Sequence, residues 1–415
     1  MGRVVTERCG CGRKSRWLTL LLVLAIGLAP LSSAAASAHH RRRRTIRHAR
    51  PRAHVALYRA ELLEDAATGR ILYEENGQLQ WPPASMAKMM LLLVAEEQIK
   101  AGRFSVSDPV RISERSAHTG GSRLGLQEGQ IYPLGELIKA ALIKSANDAA
   151  VAIAEKIGGS VEATVRMMNR RARALGMNAT EYHTVDGLPP RPTHDVDVTD
   201  ARDLATVARA LILETDLLKL SSQEECPFDG GVAMLHNTNH LVGHFDGCDG
   251  LKTGFTFEAG FNLTATAKRG KLRLISVILG APSNQQRFAQ SARLLEWGFE
   301  RFTSVAVLRT GEPLPVHVQV ASGPNIQPVA AHDLNVVLPK TDVGGIKLEY
   351  RVPTIVNGPL ASGALLGTVV VQDRGDTLAE VNALCPIAVS TSAETPAAAD
   401  NWDGTAPTAY NQENQ

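Results

Sequence analysis

Ser85 and Lys88 stand three residues apart in the stretch Trp81-Pro82-Pro83-Ala84-Ser85-Met86-Ala87-Lys88-Met89-Met90. On a helix that spacing puts both side chains on one face. From Met89 to Val94 every residue is apolar, so the helix is expected to be buried on all sides. Proline and serine both suit its N-terminus. Burial disfavours the charged form of a lysine, so Lys88 is expected to titrate low. An amine short of a proton beside a hydroxyl is a base beside a nucleophile. The helix N-terminus adds partial positive charge where an acyl oxyanion would form. The bland alternative is a solvated lysine near a capping serine, and the short motif alone does not choose.

Two further motifs follow in order, Ser145-Ala146-Asn147 and Lys252-Thr253-Gly254. The first lies between two helical patterns, where a connection can point both side chains into a cleft. The second is followed by strand-type residues, so an edge strand is expected to carry it. Its glycine allows a ligand backbone to come close. Together the three supply the parts of an acyl-transfer site: nucleophile, base, a second polar pair, and a cation with a hydroxyl for a substrate carboxylate.

These groups need a scaffold. Val55–Tyr73 reads as two short strands around the turn 66–69. Apolar stripes predict helices over 134–143, 149–157, 162–175 and 200–213. Alternation returns at 261–267 and 272–279, joined by the hairpin turn 268–271, and a helix over 285–302 closes the region. Strands, many helices, then strands predict an α+β fold: an antiparallel sheet flanked by helices, with an inserted helical subdomain. Beyond 303 come short strands such as 305–308, 316–320, 334–338, 346–352 and 366–371, the pattern of a small β-sandwich.

The 415 residues suffice for two or three domains, and 44% hydrophobic content is ordinary for a globular chain. Net charge is only +2, but it is uneven. Residues 1–38 read as a secretory signal: Arg13, Lys14 and Arg16, an apolar run from Trp17 to Leu31, then Ala36-Ser37-Ala38. Residues 39–54 form a basic arm expected to be disordered. An exported protein meets little nucleic acid, so anionic lipid or an acidic wall surface suits that arm better. Residues 386–415 contain no Lys or Arg and read as an acidic disordered tail. The organisation expected is therefore 1–38 signal, 39–54 arm, 55–302 catalytic domain, 303–385 β domain and 386–415 tail. An oxidising compartment would permit a Cys226–Cys248 disulfide, though spacing cannot show that the two meet.

With its three motifs in order, the chain resembles the D-alanyl-D-alanine carboxypeptidases, low-molecular-mass penicillin-binding proteins related to penicillin-binding protein 5. The spacers match as well as the motifs. Examples are Asn147-Asp148-Ala149-Ala150, Asp186-Gly187-Leu188, Asp249-Gly250-Leu251 before Lys252, and Ala259-Gly260-Phe261-Asn262-Leu263. The resemblance covers roughly residues 55–385 and implies a β-lactamase/transpeptidase-like fold with a small all-β C-terminal domain. It implies that Ser85 attacks the terminal D-Ala–D-Ala bond of a peptidoglycan stem peptide while Lys88 takes its proton. Ser145 relays a proton to the leaving D-alanine, and Asn147 holds substrate and Lys88. Lys252 and Thr253 bind the terminal carboxylate, Gly254 lies beside them, and the amides of Ser85 and Phe255 form the oxyanion hole. β-Lactams acylate the same serine. No cofactor and no metal are implied.

Two departures stand out. Thr238 occupies a position where some relatives carry an arginine toward the carboxylate. The membrane-associated members end in an amphipathic helix, whereas residues 386–415 are polar, so the basic arm is expected to take over that contact. Three rivals remain: a class A β-lactamase, which needs a loop glutamate absent after Ser145; a D,D-endopeptidase of peptidoglycan cross-links; and a non-catalytic wall-binding scaffold. His236, His240 and His244, with Cys248, could bind zinc on a helix, but their context reads as loop and strand. Asp195 and Asp197 read as solvated loop residues.

Overall fold

Leu272–Ala281 carries Leu274, Ile275, Val277, Ile278 and Leu279 almost without a polar break, so both faces of this strand need cover. A computed structural model, which describes residues 58–189, 196–341 and 345–390, shows what provides it. The N-terminal region runs β1 (Ala60–Asp65), β2 (Ile71–Glu75), α1 (Lys88–Lys100), β3 (Pro109–Arg111), α2 (Glu114–Ala117), β4 (Ile131–Pro133) and α3 (Leu134–Lys139). It continues with α4 (Asn147–Gly158), α5 (Val161–Ala174), α6 (Ala201–Glu214), α7 (Leu218–Ser221), β5 (Glu225–Phe228) and β6 (Ala233–His236). Last come β7 (Cys248–Thr256), β8 (Gly260–Arg269), β9 (Leu272–Ala281) and α8 (Asn284–Arg301). Five strands form one antiparallel sheet in the order β2-β1-β9-β8-β7.

Alternate residues of the central strands serve two cores. Leu62, Ile275, Val277 and Leu279 face α1, α6 and the helical subdomain. Leu63, Leu263, Leu274 and Ile278 face α8 through Leu294, Leu295 and Phe299. The buried stretch of α1 runs from Lys88 to Ala95. Each of its Met, Leu and Val side chains contributes roughly 1.5–3 kcal/mol by leaving water. This rigid rod and the sheet fix where the chemistry can occur.

The sequence-level expectations hold for the sheet, the flanking helices and the all-β region. From Phe302 onward the described residues form three small sheets around their own apolar clusters. Residues 376–384, a strand that the sequence reading passed over, pair with 365–373. The ordered β region also passes residue 385, since buried Val389 bridges to Leu360. Arg70 donates to Val337 O at 3.0 Å, which ties this region to the end of β2's hairpin. The expectations for residues 1–38, for the arm 39–54 and for the tail from 391 onward lie outside the described residues. No described helix is long and apolar enough to cross a membrane.

Candidate active site

Ser85 does not begin the α-helix. It lies in a 3-10 turn, Ala84–Ala87, and α1 starts at Lys88 itself. Ala84 adopts φ 51°, an uncommon conformation for a residue with a side chain. The bend is held from outside. Asn262 on β8 donates from Nδ2 to Pro82 O at 2.9 Å, and its Oδ1 accepts from Gly280 N at 2.8 Å. Trp81 Nε1 donates to Ala259 O at 2.7 Å. The sheet therefore fixes the Pro82-Pro83 entry, and the entry fixes the serine.

Lys88 is 0% exposed. Its Nζ lies 2.9 Å from Ser85 Oγ, 2.7 Å from Asn147 Oδ1 and 2.8 Å from the Asp186 carbonyl. Asn147 is oriented by its own donation from Nδ2 to Gly120 O at 2.8 Å, which turns Oδ1 toward the lysine. The Asp186 and Asn147 oxygens can only accept. A neutral amine has two hydrogens, and those two oxygens take both. The lone pair is then left for the Ser85 hydroxyl. Burial drives the Lys88 ammonium from 10.5 down to about 8, opposed by the negative charges of Asp186, Asp197 and Asp148.

Ser145 follows a π-helical turn, Ala140–Lys144, and has φ 63°. Such strain concentrates where side-chain aim matters. Its Oγ accepts from Lys252 Nζ at 2.7 Å. Lys252 is also 0% exposed, and burial, with the neighbouring charges of Lys88 and Arg287, pushes its ammonium well below the usual lysine range. An arriving carboxylate would reverse that pressure. Thr253 Oγ1 donates to Thr238 Oγ1 at 2.9 Å, so the residue that stands where some relatives carry an arginine meets the Thr253 hydroxyl directly.

Lys252, Thr253 and Gly254 lie on β7, the edge strand, as the sequence predicts. Gly254 has a packing reason beyond ligand approach. A Cβ there would stand 2.6 Å from Pro83 O, so only glycine lets the strand press onto the serine turn. Arg287 on α8 pins this tip by donating to Gly254 O and Asn262 O, each at 3.1 Å. Phe255 is 44% exposed at the rim, its ring 4.3 Å from that of Phe261. A cleft of about 960 Å³ opens here, lined by Ala84, Gly120, Gly121, Asp186, Gly187 and Phe255 among others. It is large enough for a peptide end. All eight expected site residues thus converge, from the 3-10 turn, α1, the α4 connection and β7.

Two expectations change. Asp197 is not solvated: it is 2% exposed and accepts from His183 N, Thr184 N and Thr184 Oγ1. Asp195 lies outside the described residues. Cys226 and Cys248 are free, buried thiols. The spaced histidines fall on strand β6 and the loop after it, as their context indicates. His236 faces Glu225 at 2.9 Å, and His240 stacks on Phe288. Sequence reasoning also missed Asp148, which gathers the amides of Leu124, Gly125 and Leu126 and so moors the loop that supplies Gly120 O. Its place inside the Ser145–Ala150 block was the only signal.

A profile described as D-alanyl-D-alanine carboxypeptidase, peptidase S11, matches residues 49–283, and one for the C-terminal domain of penicillin-binding protein 5 matches residues 302–391. This chain belongs to the D-alanyl-D-alanine carboxypeptidase family. Among relatives of this S11 family, D-alanyl-D-alanine carboxypeptidase DacF of Bacillus subtilis is 33% identical over 334 residues, covering 79% of this chain and 84% of its own. DacA of Escherichia coli is 32% identical over 326 residues, covering 76% and 80%. Among solved family structures, penicillin-binding protein 5 of Haemophilus influenzae superposes with a TM-score of 0.69 at 29% identity, covering 80% of this chain and 97% of that one. Penicillin-binding protein D2 of Listeria monocytogenes, in its ampicillin-bound form, gives 0.54 at 30% identity over 59% and 97%.

Proposed function

We propose that this chain is a serine-type D-Ala-D-Ala carboxypeptidase that trims the terminal D-alanine from peptidoglycan stem peptides. The observation that carries the reading is the fully buried Lys88 amine, 2.9 Å from Ser85 Oγ, with the Asn147 and Asp186 oxygens placed to take both hydrogens of the neutral form. Neutral Lys88 takes the Ser85 proton as Oγ attacks the penultimate D-Ala carbonyl. The amides of Ser85 and Phe255 receive the oxyanion, each donor worth about 10²–10³ in rate. The C–N bond breaks, and the leaving amine takes a proton through Ser145. Lys252 and Thr253 hold its carboxylate. Water, with Lys88 again as base, then cleaves the Ser85 ester. A β-lactam presents a similar carbonyl and carboxylate and acylates Ser85 in the same way; the Listeria relative bound to ampicillin supports this.

Residues 55–302 form the catalytic domain in this reading, and the β region from 303 through Val389 acts as a spacer or docking domain. The enzyme works outside the cytoplasmic membrane after export, with the basic arm 39–54 resting on an anionic membrane or wall surface. The test is incubation with diacetyl-lysyl-D-Ala-D-Ala. Release of D-alanine, abolished in Ser85→Ala, supports the assignment. Cleavage of cross-linked dimers without D-alanine release would make it an endopeptidase, and a folded protein with neither activity would be a scaffold.

A further inference from the structure

The segment that supplies the Asp186 carbonyl is held by a buried carboxylate, although no short motif announces it. Asp197 Oδ1 accepts from His183 N at 2.6 Å and Thr184 N at 2.9 Å, and Oδ2 accepts from Thr184 Oγ1 at 2.7 Å. Thr184 Oγ1 in turn accepts from Gly187 N at 2.8 Å, closing the turn 184–187 around Asp186. The same turn presses on the nucleophile's backbone. Gly187 has φ +79°, and a Cβ there would stand 1.8 Å from Ala84 O and 2.8 Å from Ser85 N. One small turn therefore touches Lys88 at its amine and Ser85 at its backbone.

We propose that Asp197 is a positioning residue for acylation: through Thr184 it fixes the Asp186 carbonyl, and so aims the Lys88 lone pair at Ser85 Oγ. The proposal rests on the serine-peptidase reading above. If the Asp186 carbonyl swings away, one amine hydrogen loses its acceptor and the lone pair is no longer confined to the serine. A misplacement of about 1 Å in such a pair costs on the order of 10²-fold in rate. The carboxylate also acts by charge. Groups facing Lys88 are Ser85 from the 3-10 turn, Asn147 and Asp148 from α4, Asp186 and Asp197 from the rim, and Lys252 from β7. Asp197 is one of three carboxylates that favour the ammonium there.

The experiment measures acylation by a fluorescent penicillin against pH, with D-alanine release, in the full chain. Asp197→Ala and Thr184→Val should each lower the plateau acylation rate about 10²-fold, with kcat for D-alanine release falling more than KM changes. Asp197→Asn keeps an acceptor for the two amides but turns the acceptor of Thr184 Oγ1 into a donor and removes the charge, so its plateau should fall as well and its acid limb should move to lower pH. Thr184→Val keeps the charge and should leave the limb in place. A merely structural role would not separate these two effects. Wild-type plateau rates in Asp197→Ala and Thr184→Val would overturn the proposal, as would an unmoved limb in Asp197→Asn. If Asp197→Ala does not fold, Thr184→Val carries the plateau test. A wild-type protein that neither binds penicillin nor releases D-alanine would instead sink the peptidase reading itself.

Discussion

Raising the pH from 7 to 9 should speed the acylation of Ser85 about tenfold, and the rise should then level off. Burial brings Lys88 from 10.5 down to about 8. At pH 7 the free-amine fraction is then about 1 in 11, and at pH 9 about 10 in 11, a ratio of about 10. A solvated lysine at 10.5 behaves differently. Its free fraction would climb about a hundredfold over the same interval and keep rising to pH 10. The shape of the profile therefore separates a buried base from an exposed one. Rapid mixing with a fluorescent penicillin between pH 6 and 10 reads the rate, with enzyme-free hydrolysis of the antibiotic subtracted. Lys88→Met should remove the limb and lower the rate by about 10²–10⁴, the usual contribution of a positioned base. A flat profile, a climb unbroken to pH 10, or a Lys88→Met protein labelled at the wild-type rate would refute the reasoning.

The same shift has a stability signature. Between about pH 8 and 10.5 the folded protein binds fewer protons at Lys88 than the unfolded chain, so stability rises with pH there. Below pH 8 the ammonium costs about 3 kcal/mol, and denaturant titrations of wild type against Lys88→Met should show a shallower slope in the variant, where buried Lys252, shifted in the same direction, still contributes. Gly254→Ala should keep the far-UV spectrum but lose roughly 10²-fold in penicillin labelling, because a Cβ 2.6 Å from Pro83 O pushes β7 off the serine turn. Lys252→Ala should lose about 10- to 100-fold in kcat/KM on a peptide ending in a free carboxylate, from one charged hydrogen bond, and much less on its C-terminal amide. Equal losses on both peptides would place Lys252 elsewhere in the reaction.

Much of this protein was legible without coordinates. The apolar run after Lys88 could only be a buried helix, and burial alone sets the direction of the lysine's titration. The break from helical stripes to strict alternation at Phe261 marked the sheet, because the side-chain period of a strand differs from that of a helix. Ser145, Asn147, Lys252 and Thr253 were found because their chemistry resides in side chains, which a sequence records. The partners that make those side chains useful do not announce themselves. Beside the Asn147 side chain, Lys88 is aimed by the backbone carbonyl of Asp186, and Asn147 is itself oriented by the backbone carbonyl of Gly120. A backbone carbonyl is the same in every residue, so only the path of the chain decides which one arrives. Asp197 was misread for the same reason: an aspartate in a polar stretch is ordinarily solvated, and only the turn folded around it shows a carboxylate committed to three donors. Residue types specified the reacting groups; tertiary packing decided which way their lone pairs point.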